Sequence, residues 1–175
     1  MVKRRYETGD LVPSVLTSDT DLSTFSCSKD DDSDVDFFIH NLAKRYQAEN
    51  VAFTYVFKNL GGEIVGFISV LVRSIEKSKT HDREALEWFD KRLLPALFVG
   101  QLGTHNNQRG RNVGTLMLDF VKGLAIDLSQ VVGCRYLWLE TKQNKVCYYG
   151  WRGFWVIDAA KKAPIMVMRI PDKGD

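Results

Sequence analysis

The stretch "LFVGQLGTHNNQRGRNVGTLMLDFV", residues 97 to 121, changes its periodicity twice. Its front is extended and apolar and predicts a strand that stops at Thr104. Behind it, Val113, Leu116, Met117, Phe120, Val121 and Leu124 recur at helical spacing and predict a long helix that starts near Asn112. Between the two lies a short basic loop carrying Arg109, Gly110, Arg111, Asn112 and Gly114. A strand that turns into a helix this way leaves backbone N–H groups unpaired at the positive end of the helix dipole, and such groups bind anionic oxygens. Gly110 and Gly114 let a diphosphate approach the backbone, Asn112 tolerates a left-handed conformation, and Arg109 and Arg111 add charge. A pyrophosphate suits this loop, although glycine-rich turns also precede helices for packing alone. No Lys-Ser/Thr follows the last glycine and no GxGxxG is present, which argues against nucleoside-triphosphate and dinucleotide sites.

Outward from the loop, local patterns predict the remaining elements. "LVPSVL" reads as a short edge strand interrupted by Pro13. In "SKDDDSDVDFFIHNLAKRYQ", Val35, Phe38, Ile39, Leu42, Ala43 and Tyr46 mark an amphipathic helix behind aspartates suited to its N-terminus. Those aspartates lack the glycine and terminal glutamate of a calcium-binding EF-hand loop. "VAFTYVFKN" and "GEIVGFISVLV", joined by "NLGG", predict a hairpin. "HDREALEWFDKRL" predicts a helix with Ala85, Leu86 and Phe89 on its apolar face, ended by Pro95. "RYLWLET" predicts a strand, "KVCYYGWRGF" a short helix ending near Gly153, and "FWVIDA" and "APIMVMRI" two closing strands. The expected fold class is α/β: a mixed, mostly antiparallel central sheet flanked by helices.

At 175 residues the chain suits one domain, residues 1–175, with residues 1–20 and 171–175 the expected loose ends. Lys and Arg exceed Asp and Glu by only two, so the strong positive field of a dedicated nucleic-acid binder is absent. Cys27, Cys134 and Cys147 form no CxxC pair, which argues against a disulfide framework or thiolate zinc site, and no metal is expected. The basic start has no apolar stretch behind it and no run approaches a spanning helix, so a cytoplasmic setting without membrane association is expected.

The stretch from 97 to 121 resembles the acetyl-CoA-binding motif of the GCN5-related N-acetyltransferase (GNAT) superfamily, in which a strand leads through a Q/R-x-x-G-x-G/A loop into a helix. Here that loop reads Arg109, Gly110, Arg111, Asn112, Val113, Gly114, with Asn112 in place of the usual first glycine. Downstream, "YYGWRGF", residues 148 to 154, resembles the family's "FYExxGF" ending, with Gly150 replacing the glutamate and Gly153 and Phe154 matching. The resemblance covers residues 50 to 158 well. It reaches the front more faintly, where "FSCSKDDDSDVDFFI" is similar to the "FxCG…LxxFL" opening of the branch containing GNAT-type toxins; Ser28 and Lys29 depart from that pattern.

The resemblance implies an acetyl-CoA-dependent N-acetyltransferase in which a primary amine attacks the thioester directly. It assigns cofactor binding to Leu102, Gly103, Thr104, Arg109, Gly110, Arg111, Asn112, Val113, Gly114, Thr115 and Asn144, and the proton for the leaving thiolate to Tyr149, whose phenol pKa of about 10 roughly matches that thiolate. Tyr148 is expected to pack. His105 and Glu140 are weaker candidates for a general base. The acceptor is a small amine, a protein or peptide amine, or an aminoacyl-tRNA as in the toxin branch; an antitoxin and a homodimer are further expected partners. Asn112 and Gly150 also leave open a non-catalytic acetyl-CoA-binding or interaction module. Trp151 and Trp155 are expected in a core or a dimer contact.

Overall fold

The computed structural model describes residues 4–29, 32–80, 86–159 and 163–171. Among these, seven strands form one sheet: β1 (Leu11–Val15), β2 (Phe53–Asn59), β3 (Ile64–Glu76), β4 (Leu93–Thr104), β5 (Tyr136–Glu140), β6 (Trp155–Asp158) and β7 (Ile165–Arg169), in the order β1-β2-β3-β4-β5-β7-β6. β4 and β5 run parallel, while the β1/β2, β2/β3, β5/β7 and β6/β7 ladders are antiparallel. The helices are α1 (Ser33–Asn41), α2 (Ala43–Ala48), α3 (Val113–Val131) and α4 (Val146–Gly150). This is the mixed, mostly antiparallel sheet with helices that the local patterns predict. The chain divides into two compact units, Met1–Leu71 with Gly100–Phe120 and Val72–Val99 with Val121–Asp175, a division that length and composition do not foretell.

In the first unit, the β2–β3 hairpin turns at Asn59, whose Oδ1 accepts from the amides of Gly61 and Glu63, with Gly62 at φ +83° completing the reversal. The β2/β3 register slips between Phe57 and Lys58, so Val65 bulges, and its carbonyl accepts the His105 amide at 2.9 Å. The bulge thus fixes the point at which β4 passes into the loop. α1 and α2 are one bent helix: the amide of Leu42 bonds to the Phe38 carbonyl and that of Tyr46 to the Leu42 carbonyl, carrying the ladder across the bend. Its Val35, Phe38, Ile39 and Ala43 join Leu16, Leu22, Phe25, Val56, Ile64 and Phe67 in one core, with the Phe38 and Phe67 rings stacked at 6.3 Å. The front of the chain, expected to be loose, is held from residue 4 onward: Tyr6 and Leu16 are buried and β1 pairs with β2. Residues 1–3 and 172–175 lie outside the described residues.

Two glycines set how closely the layers approach. A Cβ on Gly66 would stand 2.8 Å from Met117 Sδ and 2.9 Å from Val113 Cγ1, so bare backbone of β3 seats the first turns of α3. A Cβ on Gly103 would meet the Phe67 ring at 2.5 Å and Cys27 Sγ at 3.0 Å. α3 buries Val113, Met117, Leu118, Val121 and Ala125 completely or nearly so, while Leu116, Phe120 and Leu124 flank this stripe half-buried. The predicted face is therefore rotated toward Leu118 and Ala125.

In the second unit, Ala96, Leu97, Phe98 and Val99 stand opposite Tyr136, Leu137, Trp138 and Leu139, and the Arg73 guanidinium lies over the Phe98 and Trp138 rings at 4.8 and 5.4 Å. The helix expected over "HDREALEWFDKRL" is not formed in its described part: Leu86–Trp88 make a turn and β4 begins at Leu93; residues 81–85 lie outside the described residues. Lys77 donates its ammonium to the carbonyls of Leu86 and Phe89, its amide bonds to the Arg92 carbonyl at 2.8 Å, and Arg92 pairs with Glu76 at 2.9 Å. These bonds close the segment back against the end of β3 and override its amphipathic spacing. Pro95, expected to end that helix, lies inside β4.

Replacing Gly103 by Ala is expected to destabilise the protein by about 1–3 kcal/mol through overpacking against a core ring. Gly66→Ala should cost less, because the end of Met117 is flexible and Val113 Cγ1 stands at 2.9 Å, against 2.5 Å to the Phe67 ring at Gly103. Urea unfolding of both variants gives the order.

Candidate active site

The loop after β4 is built as a left-handed turn. Gly110 has φ +77° and Asn112 φ +74°, the latter one of two non-glycine residues at positive φ among those described. Asn112 therefore does what a glycine would do there, as its residue type predicts. Among the described residues, no backbone bond takes up the amides of Gly110, Asn112, Val113 or Gly114, whereas Leu116 N already bonds to the Asn112 carbonyl. The unclaimed amides open the nineteen-residue helix α3. On the strand side, pairing of β4 with β5 ends at Val99, so β4 continues through Leu102, Gly103 and Thr104 beyond its last partner on that edge. The residues assigned to the cofactor from Leu102 to Thr115 thus form one continuous strand, turn and helix start.

The two arginines do not stand free over this turn. Arg109 Nη2 donates to the carbonyls of Cys27 and Lys29 at 2.9 and 2.8 Å and to the Asp32 carboxylate at 3.1 Å, with a quarter of its side chain exposed. Arg111 donates to the Arg4 carbonyl and to Gln108 Oε1, and its guanidinium sits 4.2 Å from the Tyr6 ring centroid. Both cations tie the loop to earlier parts of the chain. Asp32 likewise stands at the N-cap of α1 without making a capping side-chain bond, so its carboxylate serves Arg109 rather than the helix; Asp30 and Asp31 lie outside the described residues. A cavity of about 310 Å³ opens beside the loop, walled by Arg4, Tyr6, Asn59, Gln108 and Arg111 among others.

His105 is not placed to be a base. Its Nδ1 accepts from the Asn107 amide at 3.1 Å, which leaves the proton on Nε2, 3.0 Å from the Thr24 carbonyl, and its ring packs edge-on against Phe25. Both ring nitrogens are committed and the side chain is buried. Sequence reasoning also missed Tyr6 and Asp32 as loop supports, because no local pattern announces a contact about a hundred residues away.

In the second unit, Tyr149 lies in α4 with its ring buried, 5.1 Å from Tyr148 and 6.0 Å from Phe154. Its carbonyl accepts the amides of Arg152 and Phe154, and Gly153 at φ +88° makes the turn that ends this helix. Gly150 has open space where a Cβ would stand. Tyr148 packs under Arg152, whose guanidinium lies 3.6 Å from the ring centroid. Asn144 belongs to the turn Gln143–Lys145 just ahead of α4 and is exposed. Glu140 ends β5 exposed to solvent. Trp151, expected in a core or dimer contact, is 90% exposed and has no place in the core, because the helix ends with it on the outer side; Trp155 is half-buried.

No protein-family model matches the chain, and no curated protein matches it significantly. Solved structures do. AtaT complexed with acetyl-methionyl-tRNAfMet is 16% identical, with a TM-score of 0.79 over 90% of this chain and 94% of that one. A tyrosine-to-phenylalanine mutant of KacT is 15% identical, with a TM-score of 0.80 over 92% and 95%. AtaTR bound with acetyl-CoA is 17% identical, with a TM-score of 0.76 over 92% and 94%. The chain shares the fold of these structures. At this level of identity the sheet, the helices and their connections are shared while most side chains differ, so the activity must be argued from the residues this chain places on that fold. Among the described residues, no helix is long and apolar enough to cross a membrane.

Replacement of Arg109 by Ala is expected to destabilise the protein by about 1–3 kcal/mol, because the Cys27 and Lys29 carbonyls and the Asp32 carboxylate lose the Nη2 donor they share; chemical denaturation measures it. Burial, with the neighbouring Asp36 carboxylate, pushes the Cys27 thiol up to about 12, and burial also raises Cys134. A thiol reagent at neutral pH should therefore modify exposed Cys147 alone and all three cysteines only after unfolding. Because the folded thiols ionise above their unfolded value of about 8.5, their contribution to stability is complete below that pH and is lost as pH rises toward 12. Alkaline melting curves should show that decline.

Proposed function

We propose that the protein is an acetyl-CoA-dependent N-acetyltransferase of the GNAT toxin type, acting on the amine of an aminoacyl-tRNA. One observation carries the reading: a turn with two left-handed residues presents four unclaimed amides, those of Gly110, Asn112, Val113 and Gly114, at the start of α3. This fits a pyrophosphate bound by backbone N–H groups rather than by arginine side chains. The shared fold supports it, since AtaTR was solved with acetyl-CoA and AtaT with an acetylated aminoacyl-tRNA. An antitoxin partner is part of the proposal, on the precedent of AtaT bound to the C-terminus of AtaR.

In the reaction, the acceptor nitrogen attacks the thioester carbonyl carbon, the C–S bond breaks, and the thiolate leaves while the amine gives its extra proton to solvent. Backbone groups of Leu102 and Thr104 hold the pantetheine arm by strand-like bonds along the stretch of β4 beyond its pairing with β5. The family resemblance assigns Asn144 to the same arm and Tyr149 to the proton for the departing sulfur, a proton the phenolate then regains from solvent. Its ring is held by Tyr148 and Phe154, which limits the orientations of the hydroxyl. With His105 committed to Thr24 and Asn107, deprotonation of the amine falls to water.

Calorimetric titration should show saturable acetyl-CoA binding. Transfer of labelled acetyl to charged tRNA should fall by about a hundredfold in Tyr149→Phe, the scale of one general acid. Transfer to small amines or peptides but not to charged tRNA would overturn the acceptor assignment. Binding with no transfer to any amine would establish the non-catalytic module instead.

A further inference from the structure

The segment Arg4–Tyr6 crosses the loop, and nothing in the reaction uses it. The Tyr6 amide bonds to the Arg111 carbonyl at 2.9 Å, while the Tyr6 carbonyl accepts from Asn112 Nδ2 at 3.2 Å. The Tyr6 hydroxyl donates to Gln108 Oε1 at 3.1 Å, and the same oxygen accepts from Arg111. The Arg4 carbonyl accepts from Arg111 Nε at 2.7 Å, and the Tyr6 ring, 8% exposed, lies beneath the Arg111 guanidinium. One short strap therefore grips Gln108, Arg111 and Asn112, and two of its bonds go to the residues on either side of the peptide that leads into the left-handed Asn112.

We infer that Tyr6 is a positioning residue for the pyrophosphate loop, holding Asn112 in the left-handed conformation that a glycine would adopt unaided. The physical reason lies in the residue type. A left-handed conformation is uncommon for any side chain but glycine, and asparagine adopts it most readily when its amide finds a local partner. Here the partner is brought from far along the chain: the carbonyl of Tyr6, 106 residues away in sequence, accepts it. With the strap in place, the amides of Asn112, Val113 and Gly114 share one orientation before the ligand arrives, so less ordering is required on binding. On the opposite flank Arg109 anchors the loop to Cys27, Lys29 and Asp32, so the strap is one of two clamps, and it is the one that touches Asn112.

The inference rests on the acetyl-CoA reading for its consequence, and two measurements separate the two. In the ligand-free protein, Tyr6→Ala strips the ring and hydroxyl that seat the strap on Arg111 and Gln108, so its main-chain bonds to Arg111 and Asn112 should open more often and speed amide exchange over residues 109–114, while exchange in β2 and β3 stays unchanged. No local acceleration would overturn the strap whatever the ligand is. For acetyl-CoA, Tyr6→Ala should weaken calorimetric affinity, and raise KM, by about tenfold with little change in kcat, the signature of lost uniform binding. Introducing Asn112→Gly into the Tyr6→Ala protein should recover most of that loss, since glycine enters the left-handed region without support. A tenfold loss that Asn112→Gly does not recover would overturn the role assigned to Asn112, as would faster exchange without loss of affinity. Failure of the intact protein to bind acetyl-CoA, with the exchange result as expected, would remove the proposed function and leave the strap standing.

Discussion

Two residues at positive φ, Gly110 and Asn112, turn the end of β4 into the start of α3, and the fold around them is arranged to keep that turn. The bulge at Val65 receives the first amide of the loop, His105 braces its next step against Thr24 and Asn107, and Arg109 and Arg111 fasten its outer side to residues 27–32 and 4–6. A loop with so many internal partners is ordered without a ligand. Its anion-binding character then comes from backbone amides and the helix dipole, which have a fixed direction, and not from mobile side-chain charge.

The basic residues invite a different account until their partners are known. Arg109 and Arg111 look like phosphate ligands because they flank a glycine-rich turn, yet each guanidinium donates to carbonyl or carboxylate oxygens of the protein. Their charge still raises the potential near the loop, while their geometry serves the fold. Arg73, over Phe98 and Trp138 in the second unit, is a further cation used in packing.

Elements whose signal is local were legible in the chain. The hairpin at Asn59–Gly62, the long helix from Val113, the edge strand with Pro13 and the two closing strands all stand where spacing, turn residues and β-branched content put them. The segment around Leu86 was misread because its helical spacing is outweighed by bonds from Lys77 and Arg92, groups whose partners cannot be inferred from spacing. The buried stripe on α3 lies a fraction of a turn from the one the spacing predicts, since Leu118 and Ala125 are buried while Leu116 and Leu124 are only half-buried. His105, a weaker candidate for a general base, is buried with both ring nitrogens committed, and Trp151 lies outside the core, because exposure belongs to the tertiary structure and not to residue type.

The sequence by itself determined the secondary elements outside the segment around Leu86, the α/β class and the glycine and asparagine positions of the turn before α3, because each depends on the dihedral preferences and periodicity of neighbouring residues. Only the tertiary structure decided what the arginines, Tyr6, Asp32 and His105 do. These partners lie 77 to 107 residues away, and a charge or a ring has no fixed role until packing has brought its acceptor within reach.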